Sequence, residues 1–208
     1  WYQGEANVGH AEEYSRTFPT MINAWRNNWN QGEFPFYYVQ IAPYDYHSNT
    51  SQEIREAQRL SLSVENSGMA ITMDIGDNGN IHPANKIEVG NRLAYIALNK
   101  VYGKDVKYEG PKFESQVAQG NKLILSFNNA ESLTIEGGKL EGFEIADKSG
   151  KFVKADAIIL GNKIELTAAG VKKPIAARYL WSDIVTVPVL KNEVGLPCSS
   201  FQTTKCWK

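Results

Sequence analysis

The sequence predicts an α/β protein in which an incomplete parallel sheet, flanked by helices, is followed by a β-sandwich. Three observations lead there. Over roughly the first hundred positions the apolar residues switch back and forth between helical and strand periodicity. After Gly103 the helical period stops, and short apolar runs separated by turn residues take over. The chain also opens, at "WYQGEANVGH", on what reads as the last residues of a buried strand.

From Ala11 to Asn30, Phe18, Met21, Ile22, Trp25 and Trp29 form one apolar stripe at helical spacing, with Pro19 expected in the first turn. "EFPFYYVQIAP" is aromatic and β-branched, closes on Pro43, and reads as a buried strand. In "SNTSQEIREAQRLSLSV", cap-type residues precede a helix whose face is Ile54, Ala57 and Leu60 or Ser61. "GMAITMDIGD" is a second buried strand. "HPANKIEVGNRLAYIALNKVYG" is a helix with Pro83 near its start and Gly103 at its end. Strands separated by helices of this length form βαβ units, hence a parallel sheet.

"KYEGPKFES" reads as a polar boundary between residues 1–105 and a second domain at 111–208. There "KLILSF", "SLTIEGG", "GFEIAD", "ADAIILGN", "KIELTA" and "IAARYLW" recur with turn residues between them, the pattern of a β-sandwich. The final stretch, from "VPVLKNEVG" onward, reads as irregular.

Composition excludes several classes. The 208 residues are 42% hydrophobic and 22% charged, with a net charge of -1, so neither nucleic acid nor an anionic membrane is an expected partner. No apolar run approaches the roughly 20 residues of a bilayer span. His10, His47 and His82 are scattered and match no zinc spacing, and no cofactor is expected. For Cys198 and Cys206 two readings stay open: reduced thiols, or one disulfide clipping the tail.

In open parallel sheets, ligands bind beyond the carboxyl ends of the strands. Two loops at that edge carry unusual residues: Gln3-Gly4-Glu5 and the stretch from Asp74 to Pro83. His82 follows a Gly/Asn-rich loop and is expected at a helix N-terminus, where the dipole favours the neutral ring and a general-base role. The bland reading is a helix cap. A Gln3 amide can donate to a developing oxyanion, and Glu5 can orient a histidine. Equally, a strand-end glutamine satisfies backbone groups and a glutamate commonly opens a helix. No G-x-S-x-G is present.

"WYQGEAN", "PFYYVQIAPY", "REAQ", "MDIGDNGNIHPANKIEVGNRLA" and "GLPCSSF" resemble, in this order, the sialate O-acetylesterase family. The resemblance covers nearly the whole chain. It implies an incomplete flavodoxin-like, three-layer domain of the SGNH-hydrolase type, accompanied by β-sandwich material. The implied reaction is serine-type hydrolysis of O-acetyl esters on sialic acids or related acetylated sugars. The family's serine and a second oxyanion block would precede Trp1. Gln3, Gly4 and Glu5 match the third block, and His82 with Pro83 the last. The chain departs from the family's Asp-x-x-His at Gly79, so the acid that orients His82 is open between Asp77, Glu5 and a dyad without an acid.

The resemblance therefore makes this chain part of a split esterase core. An N-terminal segment of the same protein is the expected partner, staying bound to cover the apolar edge of the sheet. Alone, the fragment is expected to be inactive. A periplasmic or secreted location follows by the same resemblance. Two rivals stand beside it: an esterase of another polysaccharide such as xylan, and a non-catalytic carbohydrate-binding relative. Tyr37, Tyr38, Tyr44, Tyr46 and Trp181 are candidates for stacking on sugars. Arg55 is a candidate for a substrate carboxylate, against the plainer reading of a surface helix arginine.

Overall fold

The computed structural model describes residues 1–204 and 207. The chain is mixed α/β and divides into two compact units. One is Trp1–Tyr108 with the short return Ser182–Ile184; the other is Glu109–Trp181 with Val185–Lys208.

In the first unit, α1 (Ala11–Trp29), β1 (Phe36–Val39), α2 (Ser51–Leu60), β2 (Ser67–Ala70) and α3 (Lys86–Lys100) follow one another. β1 and β2 are parallel, with Phe36 opposite Ser67 and Val39 opposite Ala70; Tyr2 bridges to Val39, also in parallel. Tyr2, Val39 and Ala70 thus end three chain segments in one row, and everything just after them lies at the carboxyl edge. Phe36 and Tyr38 point toward Phe18 of α1, with ring centroids 6.1 and 5.0 Å away. On the opposite face, Val39 and Ala70 pack against Val89 of α3. α3 lies so close that a Cβ on Gly68 would come within 2.6 Å of Ile96 Cγ2.

The helices depart from expectation in instructive ways. The buried stripe of α1 is Ala11, Tyr14, Phe18, Ile22 and Arg26. Trp25 and Trp29 are 39% and 67% exposed. Arg26 takes a core place because its guanidinium donates to the Phe34 and Glu65 carbonyls and pairs with Glu33 at 2.6 Å. Pro19 is well inside the helix, not in its first turn, because Ala11 and Tyr14 already belong to the buried stripe. α2 is buried nearly all round, including Ser51, Gln52, Arg55, Glu56 and Gln58, so no single apolar face describes it. α3 begins at Lys86, with Asn85 as its cap accepting from the Glu88 amide at 3.2 Å. His82 and Pro83 therefore precede the helix, and the helix-dipole argument for His82 does not apply.

The second unit is built on two four-stranded antiparallel sheets. One runs β3 (Lys112–Gln119), β4 (Lys122–Asn128), β9 (Lys163–Thr167), β8 (Asp156–Leu160). The other runs β12 (Phe201–Gln202), β10 (Ala176–Tyr179), β6 (Phe143–Ala146), β7 (Val153–Lys154). A third, two-stranded pair joins β5 (Leu133–Thr134) and β11 (Lys191–Asn192). Rings from the two larger sheets meet around Phe201, which stacks on Phe113 at 5.2 Å and lies 5.9 Å from Phe127 and Tyr179. β3 is a full partner of β4 although its sequence read as part of a boundary. Cys198 is buried; its suggested partner Cys206 lies outside the described residues.

Candidate active site

The carboxyl edge of the first unit brings three segments to one side: Gln3–Glu5, the stretch 40–51 after β1, and the stretch 71–85 after β2. Each is fixed differently.

The Gln3-Gly4-Glu5 turn is held from beneath. The Gln3 carbonyl accepts from Gln58 Nε2 at 3.1 Å and from the Tyr14 hydroxyl at 3.3 Å. Gln58 Oε1 accepts from the Ile41 amide at 2.9 Å, so one buried side chain joins the turn to the stretch after β1. Gly4 has φ +155°, and a Cβ there would meet Ile41 Cγ2 at 2.9 Å; only glycine lets the turn approach α2 and Ile41 this closely. Gln3 Nε2 donates to Asn7 Oδ1 at 3.0 Å, which fixes the plane of the amide and leaves its second hydrogen to point elsewhere. Glu5 opens a short 3-10 turn, Glu5–Asn7. Burial, then the nearby Glu5 carboxylate, pushes the Tyr2 phenol up to about 12. The same two causes, in the same order, raise Tyr46.

The 71–85 stretch is rooted by a buried ion pair. Arg92 of α3 grips Asp74 with two parallel bonds of 2.7 and 2.8 Å and also donates to the Ile71 carbonyl. Beyond that root most of the loop is exposed, Pro83 excepted, and its side chains bond its own backbone. Asp77 Oδ1 accepts from the Gly79 amide and Asn80 Oδ1 from the His82 amide, both at 2.9 Å. His82 is exposed, and among the described residues no carboxylate hydrogen-bonds its ring. Asp77 thus braces a turn, and Gln3, Glu5 and His82 lie in loops at one edge with no hydrogen bond or ion pair among them.

Arg55 is not on the surface. It is 0% exposed, donating to Ser51 Oγ at 3.0 Å and to the Ser182 carbonyl. Burial pulls its guanidinium down to about 10, against the opposing pull of Asp183 and Tyr46. Beside it, Asp183 receives the Ser51 hydroxyl at 2.7 Å and the Ser51, Asn49 and Ser48 amides at 2.9, 2.7 and 3.3 Å. Burial pushes the Asp183 carboxyl up, but these hydrogen bonds outweigh it and hold the group below its ordinary value. Of the aromatic candidates, Tyr38 is core, its hydroxyl donating to the Gln58 carbonyl at 2.7 Å. Tyr44 and Tyr46 stand edge to face at 4.9 Å in the stretch after β1. Trp181 belongs to the second unit.

Sequence reasoning missed Gln58, Asp74, Arg92 and Asp183. Gln58 had a signal, since it closes the "REAQ" motif. Asp183 had none: its partners lie more than 130 positions away.

The fold and this edge define an α/β unit with an amide-bearing turn and an imidazole beyond parallel strands, the place where such folds bind and transform ligands. Residues 1–99 match the family described as carbohydrate esterase, sialic acid-specific acetylesterase. Among solved structures, a carbohydrate acetylesterase from Xanthomonas citri is similar over 100% of this chain, at 34% identity and a TM-score of 0.94. The chain spans 49% of the length of that protein. No curated protein matches it significantly.

Proposed function

We propose that this chain forms the amide-and-imidazole half of a serine-type carbohydrate O-acetylesterase. The observation that carries the reading is the shared edge: the Gln3 turn and the His82 loop, both inside the matched stretch, follow the two segments that flank β1 in parallel, Tyr2 and β2. The attacking serine and further oxyanion donors come from a segment outside this chain, consistent with its half coverage of the Xanthomonas esterase. In this reading the parallel strands continue into a flavodoxin-like sheet, and the second unit is the accompanying β-sandwich.

His82 takes the serine proton as the serine oxygen attacks the acetyl carbonyl. The free hydrogen of the Gln3 amide and backbone N–H groups receive the oxyanion. The protonated His82 then returns the proton to the departing sugar oxygen. A water, deprotonated by His82, releases acetate and restores the serine. The substrate class is an O-acetylated sugar, with sialic acid the first choice from the family description. Such a substrate fits a periplasmic or secreted enzyme.

A carbohydrate-binding role without catalysis draws support from His82, whose ring no described carboxylate orients. Turnover of a generic acetyl ester by the full-length protein separates the two. His82→Ala is expected to lower kcat by about 10³-fold or more with intact folding. Near-parental turnover in that variant would sink the assignment.

A further inference from the structure

We propose that Asp183 is a positioning residue for the His82 loop, acting through the stretch 43–51. This rests on the esterase reading above and adds to it a residue that no family match includes, since the matched stretch ends at residue 99.

The stretch 43–51 makes bonds of its own, the His47 amide to Asp45 Oδ1 at 2.9 Å and the Thr50 hydroxyl to Ser48 Oγ at 3.0 Å, but they are all short-range. His47 and Asn49 both have left-handed backbones, at φ 56° and 51°, a conformation that costs energy unless the surroundings impose it. Thr50, at the cap position of α2, makes no side-chain cap bond. The amides that open the helix would be orphaned there. The Asp183 carboxylate, 5% exposed, takes the first of them, from Ser51, together with the Ser51 hydroxyl and the Ser48 and Asn49 amides just before the helix. Its backbone carbonyl accepts from the Tyr44 amide at 3.2 Å.

From there the path to the histidine is short. The Asp45 amide donates to the Asn78 carbonyl at 3.0 Å. Pro43 lies against Gly76 so closely that a Cβ on that glycine would sit 2.6 Å from Pro43 Cδ and 2.9 Å from its carbonyl oxygen. Asn78 lies within the Asp77–Gly79 turn, and the Asn80 amide donates to the Asp77 carbonyl at 3.1 Å before Asn80 receives the His82 amide. Arg92 and Asp74 fix the root of this loop; its outer half also meets the rest of the unit at Pro43 and Asp45, on either side of Tyr44, whose amide Asp183 receives.

The test is Asp183→Asn in the full-length protein, which keeps the shape but turns an amide NH₂ toward N–H donors. Expected are a fall in kcat of about 10-fold with KM changed less than about threefold, and faster amide exchange at residues 78–82. In a His82→Ala background the same change should cost no further kcat, because both act on one step. Ser51→Ala, which removes one of the four bonds to the carboxylate, should move kcat and exchange in the same direction by about two- to threefold, and it decides the matter if Asp183→Asn does not fold. Unchanged kcat and unchanged exchange at 78–82 in a folded variant would reduce Asp183 to a helix cap and overturn the inference. If the parent itself hydrolyses no acetyl ester, the esterase reading fails, and exchange at 78–82 still decides the positioning role.

Discussion

The two sides of the candidate site are built in opposite ways. The Gln3-Gly4-Glu5 turn is braced by side chains from other elements: Gln58 and Tyr14 hold its carbonyl, and Ile41 presses against Gly4. The His82 loop is gripped firmly at its root by Arg92 and Asp74, while its outer side chains bond the loop's own backbone and it meets the rest of the unit at Pro43 and Asp45. In the proposed enzyme the difference matches what each side would have to do. A donor aimed at a developing charge acts only if it is fixed before the reaction, so the turn is built into the core. A proton-carrying imidazole has to face a nucleophile, and in the proposed enzyme that group arrives from another segment.

Changes that attack one side and spare the other sharpen this contrast. The largest effect is expected at the root of the His82 loop. Arg92→Ala removes both bonds that Asp74 receives from the guanidinium and should cost about 3–5 kcal/mol in chemical denaturation. A loss under 1 kcal/mol would show that the loop is not rooted there. On the other side, Gln58→Leu leaves the Ile41 amide without its partner and the Gln3 carbonyl with the Tyr14 hydroxyl alone. About 1–3 kcal/mol should be lost, with activity falling beyond what stability explains. An unchanged ratio of activity to folded protein would mean that the turn does not depend on its brace.

A smaller effect concerns acid. The Asp183 carboxyl is held below its ordinary value in the folded protein, so it binds a proton less readily there than in the unfolded chain. Its stabilisation is complete above the unfolded pKa, roughly 4, and fades as pH drops through the lower folded value. The stability gap between parent and Asp183→Asn should therefore narrow below about pH 4; a gap constant down to pH 2 would contradict it. The smallest change is Asn85→Ala at the cap of α3, worth about 1 kcal/mol by thermal melting and expected to leave the Gln3 side untouched.

Much of this was readable in the sequence, and the exceptions have physical reasons. Strands and helices of the first unit show in their apolar periods, although the runs read as strands over 33–43 and 68–77 shrink to Phe36–Val39 and Ser67–Ala70, and the motif resemblance directs attention to Gln3 and His82. Trp25 and Trp29 mislead because a helical stripe of aromatics looks like core, whereas Arg26 holds the core place by donating to carbonyls. β3 escapes because most of its residues face solvent, so no alternation marks it. α2 hides its burial behind polar letters, each satisfied by a partner distant in sequence. Asp183 could not be read at all, for a carboxylate that caps a helix from the far end of a chain leaves no local pattern.

The most direct test of the central claim is covalent trapping. The full-length protein, treated with an organophosphonate that phosphonylates activated serines, should gain the mass of one adduct, while His82→Ala should gain none under the same conditions. No adduct on the parent, or equal labelling of the two proteins, would contradict a serine activated by His82.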